Sequence, residues 1–137
     1  MTTGNTNGRG RAKGFQQLIA WQKAYELVLG VYRASQRFPA DERFGLTQQM
    51  RRAAVSIPAN VAEGWGRGSR TDYVRFLDMA RGSAYELQTQ LWIASDLGYL
   101  DKEHDVLTAL DEVERLLNGL IRSLRVQTAN CLQPPRP

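Results

Sequence analysis

Apolar residues recur along this chain at steps of three and four, the mark of helices that turn one side inward. Leu18, Trp21, Tyr25, Val28 and Tyr32 step by 3, 4, 3 and 4, which is a heptad seam. Ala20, Ala24, Leu27 and Val31 form a second apolar stripe beside it. A helix with two such stripes has two burial partners, within its own bundle or across a subunit boundary. The pattern predicts this first helix over residues 15–37, ended by Phe38-Pro39, because the residue before a proline avoids the α region. A second helix is predicted over 43–64, with Leu46, Met50, Ala53, Ile57 and Val61 on one face. Pro58 lies inside it, lacks an N–H and crowds the carbonyl four residues earlier. A kink is therefore expected, with Ser56 and Asn60 serving the freed backbone groups. The alternative is two short helices, the second capped by Ser56.

Gly64, Gly66 and Gly68 close the second helix, and Ser69 with Asp72 three residues later resembles a capping box opening the third. That third helix, over 70–97, carries Tyr73, Leu77, Ala80, Ala84, Leu87, Leu91 and Ala94 at alternating steps of 4 and 3. Gly98 suits its C-terminal cap, and Asp101 is expected to cap a fourth helix over 101–125. The fourth seam is Val106, Leu110, Val113, Leu117, Leu120 and Leu124. These 3.5-residue periods favour left-handed packing at about 20°. No strand-like alternation and no internal repeat is present. Short links between four long helices predict an all-α fold, an up-down-up-down antiparallel four-helix bundle. Residues 1–14, with Arg9, Arg11 and Lys13 among four glycines, read as a disordered basic arm. Residues 127–137, ending Pro134-Pro135-Arg136-Pro137, read as a flexible tail.

Length and composition narrow the function. A chain of 137 residues forms one domain and can bury a core without covalent staples. A mean hydropathy of −0.43 and the lack of a long apolar run exclude a membrane-spanning helix. The first 14 residues hold no apolar signal segment, so a cytoplasmic location is expected. One cysteine, Cys131, excludes an intrachain disulfide, and with one histidine, His104, it excludes the usual His/Cys metal sets. His104, in the first turn of the predicted fourth helix beside Lys102, Glu103 and Asp105, reads as solvated. Asp101 and Asp105, and Asp111, Glu112 and Glu114, lack the Glu-x-x-His pairs of di-iron bundles and read as a solvated acidic face. The glycine run lacks the terminal Gly-Lys-Ser/Thr and the preceding strand of a phosphate loop. With no nucleophile–base pair, metal set or cofactor motif, the expectation is a protein that is not an enzyme and takes no cofactor.

Charge gives the stronger lead. The net charge is +4, but residues 1–75 hold 12 basic and 5 acidic groups, whereas residues 76–137 hold 6 and 9. Only three of the 18 basic residues are lysine, and arginine makes bidentate phosphate contacts that lysine cannot. Arg51, Arg52, Arg67, Arg70, Arg75 and Arg81 are the candidate nucleic-acid-binding residues. Trp65 and Tyr73 interleave them and are candidates for stacking on unpaired bases. The competing reading places both rings in the core and pairs the arginines with Glu63, Asp72, Asp78 or Glu86.

Several stretches carry a family resemblance. They are Trp21-Gln22-Lys23-Ala24, Gly45-Leu46-Thr47, the block from Arg51 to Gly64 reading RRAAVSIPANVAEG, Gly66-Arg67-Gly68-Ser69, Phe76-Leu77, Ala80-Arg81-Gly82-Ser83 and Asp96-Leu97-Gly98-Tyr99. Together these resemble the four-helix-bundle proteins encoded by intervening sequences in bacterial 23S ribosomal RNA genes, over about Phe15 to Leu124. The resemblance implies assembly as a homopentameric ring. It also implies kinship with the accessory variability proteins of diversity-generating retroelements, which are basic and bind nucleic acid and a reverse transcriptase. The expected function is thus a non-enzymatic, oligomeric accessory protein that binds RNA or DNA through its arginines. The alternative is a scaffold ring that binds a partner enzyme such as a reverse transcriptase and meets no nucleic acid. Either way the expected partners are copies of itself and macromolecules in solution, not a membrane.

Overall fold

The computed structural model describes residues 14–132, with side chains as far as Gln127. The predicted arm before Gly14 and the last five residues of the predicted tail lie outside the described residues. Four α-helices form the described chain: α1 (Ile19–Ser35), α2 (Leu46–Trp65), α3 (Arg70–Asp96) and α4 (Asp105–Leu132). Each helix packs against its neighbours in sequence, α4 closes back on α1, and the backbones of the diagonal pairs α1–α3 and α2–α4 stay apart. The result is the antiparallel four-helix bundle that the short links predict. No described helix is long and apolar enough to cross a membrane.

The helix ends differ from the sequence expectation for local reasons. A separate 3-10 turn, Phe15–Gln17, precedes α1, because Leu18 adopts an extended conformation between them. The N-terminus of α2 is served by Glu42, whose Oε1 accepts from the Leu46 N–H at 3.2 Å. Its other oxygen accepts from the Tyr99 hydroxyl at 3.1 Å, and the Tyr99 ring lies 5.5 Å from that of Phe38. One carboxylate thereby joins the α1–α2 loop to the α3–α4 loop. Ser69 caps α3 as expected, accepting from the Asp72 N–H at 3.1 Å. At the other end of α3 the N–H of Tyr99 reaches the Ala94 carbonyl and that of Gly98 the Ser95 carbonyl, with Gly98 at φ +83°. This is a Schellman close, which needs a residue that tolerates the left-handed region.

Asp101 does not cap α4. The helix starts four residues later, and His104 takes the capping role: its Nδ1 accepts from the Val106 N–H at 3.1 Å. The reading of His104 as a merely solvated first-turn residue is corrected accordingly. The far end of α4 runs on to Leu132, past the end expected near residue 125. Pro58 sits within a continuous α2, so the two-helix alternative does not hold. Asn60 Nδ2 donates to the Ser56 carbonyl at 2.8 Å and to Ser56 Oγ at 2.9 Å, and Ser56 Oγ meets Ser83 Oγ of α3 at 2.8 Å. The polar groups around the proline are thus tied to each other and across to the next helix.

The core lies along the predicted seams of α2 and α3 and most of that of α4. Ile121 is more deeply buried than Leu120, which reflects the drift of a 3.6-residue helix away from a strict heptad. On α1 the two stripes trade places. Ala20, Ala24, Leu27 and Val31 are the core, whereas Tyr25 and Tyr32 of the heptad seam stay exposed at its edge. Alanines let α1 approach closely, and the tyrosines lie along its flank. α2 and α3 approach closely at Gly64, where a Cβ would stand 2.6 Å from Phe76 Cβ.

Candidate nucleic-acid interface

The six candidate arginines do not form one patch. Arg51, half-buried, donates from Nε to Ser35 Oγ at 2.9 Å and from Nη2 to the Tyr32 carbonyl at 3.4 Å, and its guanidinium lies 4.6 Å from the Tyr32 ring centre. It bonds a hydroxyl and reaches one carbonyl at the C-terminus of α1, where a cation also suits the helix dipole. Arg81, also half-buried, holds Asp78 Oδ1 at 2.9 Å and Asn118 Oδ1 of α4 at 2.9 Å. Asp78 Oδ2 accepts a second arginine, Arg125 of α4, at 2.7 Å. Arg51 and Arg81 thus fasten helices together; the pairs that the competing sequence reading named are those of Arg81 with Asp78, Arg67 with Glu63 and Arg75 with Asp72.

Arg67 and Arg75 do come together, at the end of the bundle where α2 turns into α3, and Arg70 opens α3 between them in sequence. All three are exposed. The guanidiniums of Arg67 and Arg75 lie 4.9 Å and 5.0 Å from the ring centre of Phe76, whose residue is only 6% exposed. Cation–π contact at exposed sites contributes about 0.5–1 kcal/mol, enough to bias where each planar group rests. Each of these two keeps one local carboxylate: Arg67 with Glu63 at 2.7 Å and Arg75 with Asp72 at 3.5 Å. Exposed pairs of this kind are weak enough for a phosphate to compete. Phe76 was not a sequence candidate. It adjoins Arg75, and nothing in a helical period marks a ring as the resting surface for two arginines from different elements.

Arg52 is exposed and has no ion-pair partner among the described residues, but it stands 13 residues before Trp65 on α2, roughly 20 Å along the axis at 1.5 Å per residue. It does not belong to the same cluster.

The two aromatic candidates separate as well. Trp65 is 44% exposed and meets Tyr73 edge-to-face, with ring centres 5.8 Å apart and planes at 87°. Tyr73 is half-buried against the core, and its hydroxyl is buried with no partner among the described protein groups. Burial pushes its phenol above the ordinary value of 10.0. Tyr73 is a support for Trp65 rather than an open stacking surface. Among the described residues no cluster of histidine, cysteine, aspartate and glutamate is arranged to hold a metal ion.

The family model of the 23S rRNA-intervening sequence protein matches residues 16–119, most of the chain. The chain belongs to this family. The 23S rRNA-intervening sequence protein match reaches into all four helices and takes in the whole arginine turn. Among solved structures, a protein of unknown function from the S23 ribosomal protein family of Bacteroides thetaiotaomicron is similar, at 22% identity and a TM-score of 0.69. The match covers 76% of this chain and 96% of that one, and at this identity it speaks for the shared fold. Among curated proteins none matches this family member.

Proposed function

We propose that this protein is a non-enzymatic accessory protein that binds nucleic-acid phosphates at the α2–α3 end of its bundle. The observation that carries the reading is the trio of exposed arginines, Arg67, Arg70 and Arg75, two of them resting on Phe76. Guanidiniums resting against a ring keep further N–H groups for phosphate oxygens, which compete with Glu63 and Asp72. The chain also enters the described structure at this end: a Cβ on Gly14 would lie 3.7 Å from Trp65 Nε1. The basic residues Arg9, Arg11 and Lys13 immediately precede that point. Such contacts hold the backbone and carry little sequence preference.

Self-assembly is part of the same proposal. Tyr25, Leu29 and Tyr32 are exposed on α1, and Tyr85 and Trp92 on α3. Two different apolar faces on one chain suit a head-to-tail contact that closes into a ring. Five copies, as the family resemblance implies, would repeat the arginine turn and raise the affinity of weak phosphate contacts.

The test is anisotropy of a labelled structured RNA and a matched DNA across a salt series. Binding is expected to weaken linearly in log salt. Replacing Arg67, Arg70 and Arg75 together by glutamine is expected to lower affinity for both. The same change should flatten the salt slope by about one for each phosphate no longer neutralised, with helicity intact. No binding by the parent protein at low salt overturns the proposal. The scaffold reading would then stand, favoured by Trp92, which is 57% exposed away from the arginine turn.

A further inference from the structure

We infer that Trp65 is a base-stacking platform, so that the arginine turn takes single-stranded nucleic acid in preference to a duplex. The inference rests on the nucleic-acid reading above and adds a strand selectivity to it. Arginine–phosphate contacts alone cannot supply that selectivity, because phosphates are equally available on paired and unpaired strands. A base offers its π face to a protein only when it is unstacked.

A stacking platform must be open, held in place and close to the phosphate contacts. Trp65 meets all three conditions. It is 44% exposed. It sits on the last residue of α2, with Tyr73 edge-to-face against it, and Tyr73 is in turn fixed by the close helix approach, its Cδ1 lying 3.2 Å from where a Gly64 Cβ would be. Arg67 is two residues away in the turn, and Arg70 opens the next helix.

The other tryptophans fail one condition each. Trp21 is half-buried between Phe15 and Tyr25, with ring centres 5.3 and 5.2 Å away. Trp92 is open, but it lies beside Ser95, Asp96, Lys102 and Leu107, with no arginine in that group. There Asp96 offsets Lys102, so the cleft has no net attraction for a phosphate, whereas Arg67 and Arg75 stand in excess near Trp65.

The experiment measures binding of three labelled probes: a short oligouridylate, a duplex of equal length, and an abasic oligonucleotide that keeps the phosphates and lacks bases. Trp65→Leu is expected to weaken oligouridylate binding about tenfold, within the range for one lost base–aromatic stack, and to leave the duplex and abasic probes unchanged. Trp65→Phe, which keeps a π face, is expected to restore most of the loss. The Arg67/Arg70/Arg75→Gln variant is expected to weaken all three probes alike. Oligouridylate binding unchanged by Trp65→Leu, or equal losses on all three probes, overturns the stacking inference and leaves the phosphate reading standing. Absence of binding by the parent protein to any probe overturns both.

Discussion

Replacing Gly64 by alanine sets two effects of known size against each other. Alanine is the better helix former, by about 1 kcal/mol in a helix interior, and less in the last turn where Gly64 lies. Against this, the new Cβ would stand 2.6 Å from Phe76 Cβ, 3.2 Å from Tyr73 Cδ1 and 3.3 Å from the Tyr73 carbonyl oxygen. Carbon atoms prefer a separation of about 3.5–4.0 Å, so α2 and α3 must part by roughly 1 Å there. Phe76 Cβ is bonded directly to the α3 backbone and cannot rotate aside. Overpacking of this kind costs about 1–3 kcal/mol, which exceeds the propensity gain. The expected net loss is about 1–2 kcal/mol. In urea unfolding followed by circular dichroism, the midpoint should fall by about 0.5–1 M for a chain of this size. Gly82→Ala is the matched control, because it lies within α3 and a Cβ there meets nothing within 4 Å. It should stabilise by about 0.5–1 kcal/mol. If Gly64→Ala is as stable as the parent protein, or if both variants shift the same way, the close approach of α2 and α3 is refuted.

Asp78→Ala removes the acceptor shared by Arg81 and Arg125, and should cost about 1 kcal/mol in urea, with the difference shrinking in high salt because both pairs are partly exposed. Arg51→Ala should cost about 1 kcal/mol by removing the bond to Ser35 Oγ and the contact with the Tyr32 ring and carbonyl, visible as earlier loss of helicity on heating. Glu114 is 8% exposed with one oxygen lacking a partner, and burial, reinforced by Asp111, raises its carboxyl above the ordinary 4.5. An acid raised in the folded state destabilises when ionised, so its penalty is absent below 4.5 and grows as pH rises through the folded-state value. Glu114→Gln should therefore be more stable than the parent at neutral pH and lose that advantage on acidification. Tyr73→Phe removes a buried hydroxyl without a protein partner and should leave stability unchanged or raise it by up to about 1 kcal/mol.

The fold was legible because helical burial repeats. Seams such as Leu77, Ala80, Ala84, Leu87 and Leu91 admit one geometry, and Ser69 and Gly98 mark helix ends by local chemistry that tertiary context did not disturb. Choosing between the two stripes of α1 was harder, because both have the helical period. Which one faces the core depends on how closely neighbouring helices approach, and alanine wins where space is short. The start of α4 was misplaced because histidine, an uncommon cap, displaced an aspartate that has the stronger capping preference. At the arginine turn, sequence proximity identified Arg67, Arg70 and Arg75. It had no means of separating them from Arg51 and Arg81, whose partners Ser35 and Asn118 lie 16 and 37 residues away. A guanidinium that fastens two helices and one that faces solvent read alike until the chain is folded.

The carboxylate of Glu42 gives the two ends of the molecule unequal mechanical character. With one oxygen on the first turn of α2 and the other on Tyr99 beyond α3, it adds a polar link between two helical hairpins that pack along α2–α3 and α1–α4 and that the chain joins at the α2–α3 turn. Fluctuations that separate the hairpins must break this latch at one end, whereas at the opposite end no carboxylate bridges the α2–α3 turn to the start of α1 among the described residues. Amide hydrogens near Leu46 and Tyr99 should exchange together, as one cooperative unit, and more slowly than those around Gly66 and Arg67. The α2–α3 turn is then the covalent hinge between the two hairpins, and Glu42 is the clasp that holds their far ends shut.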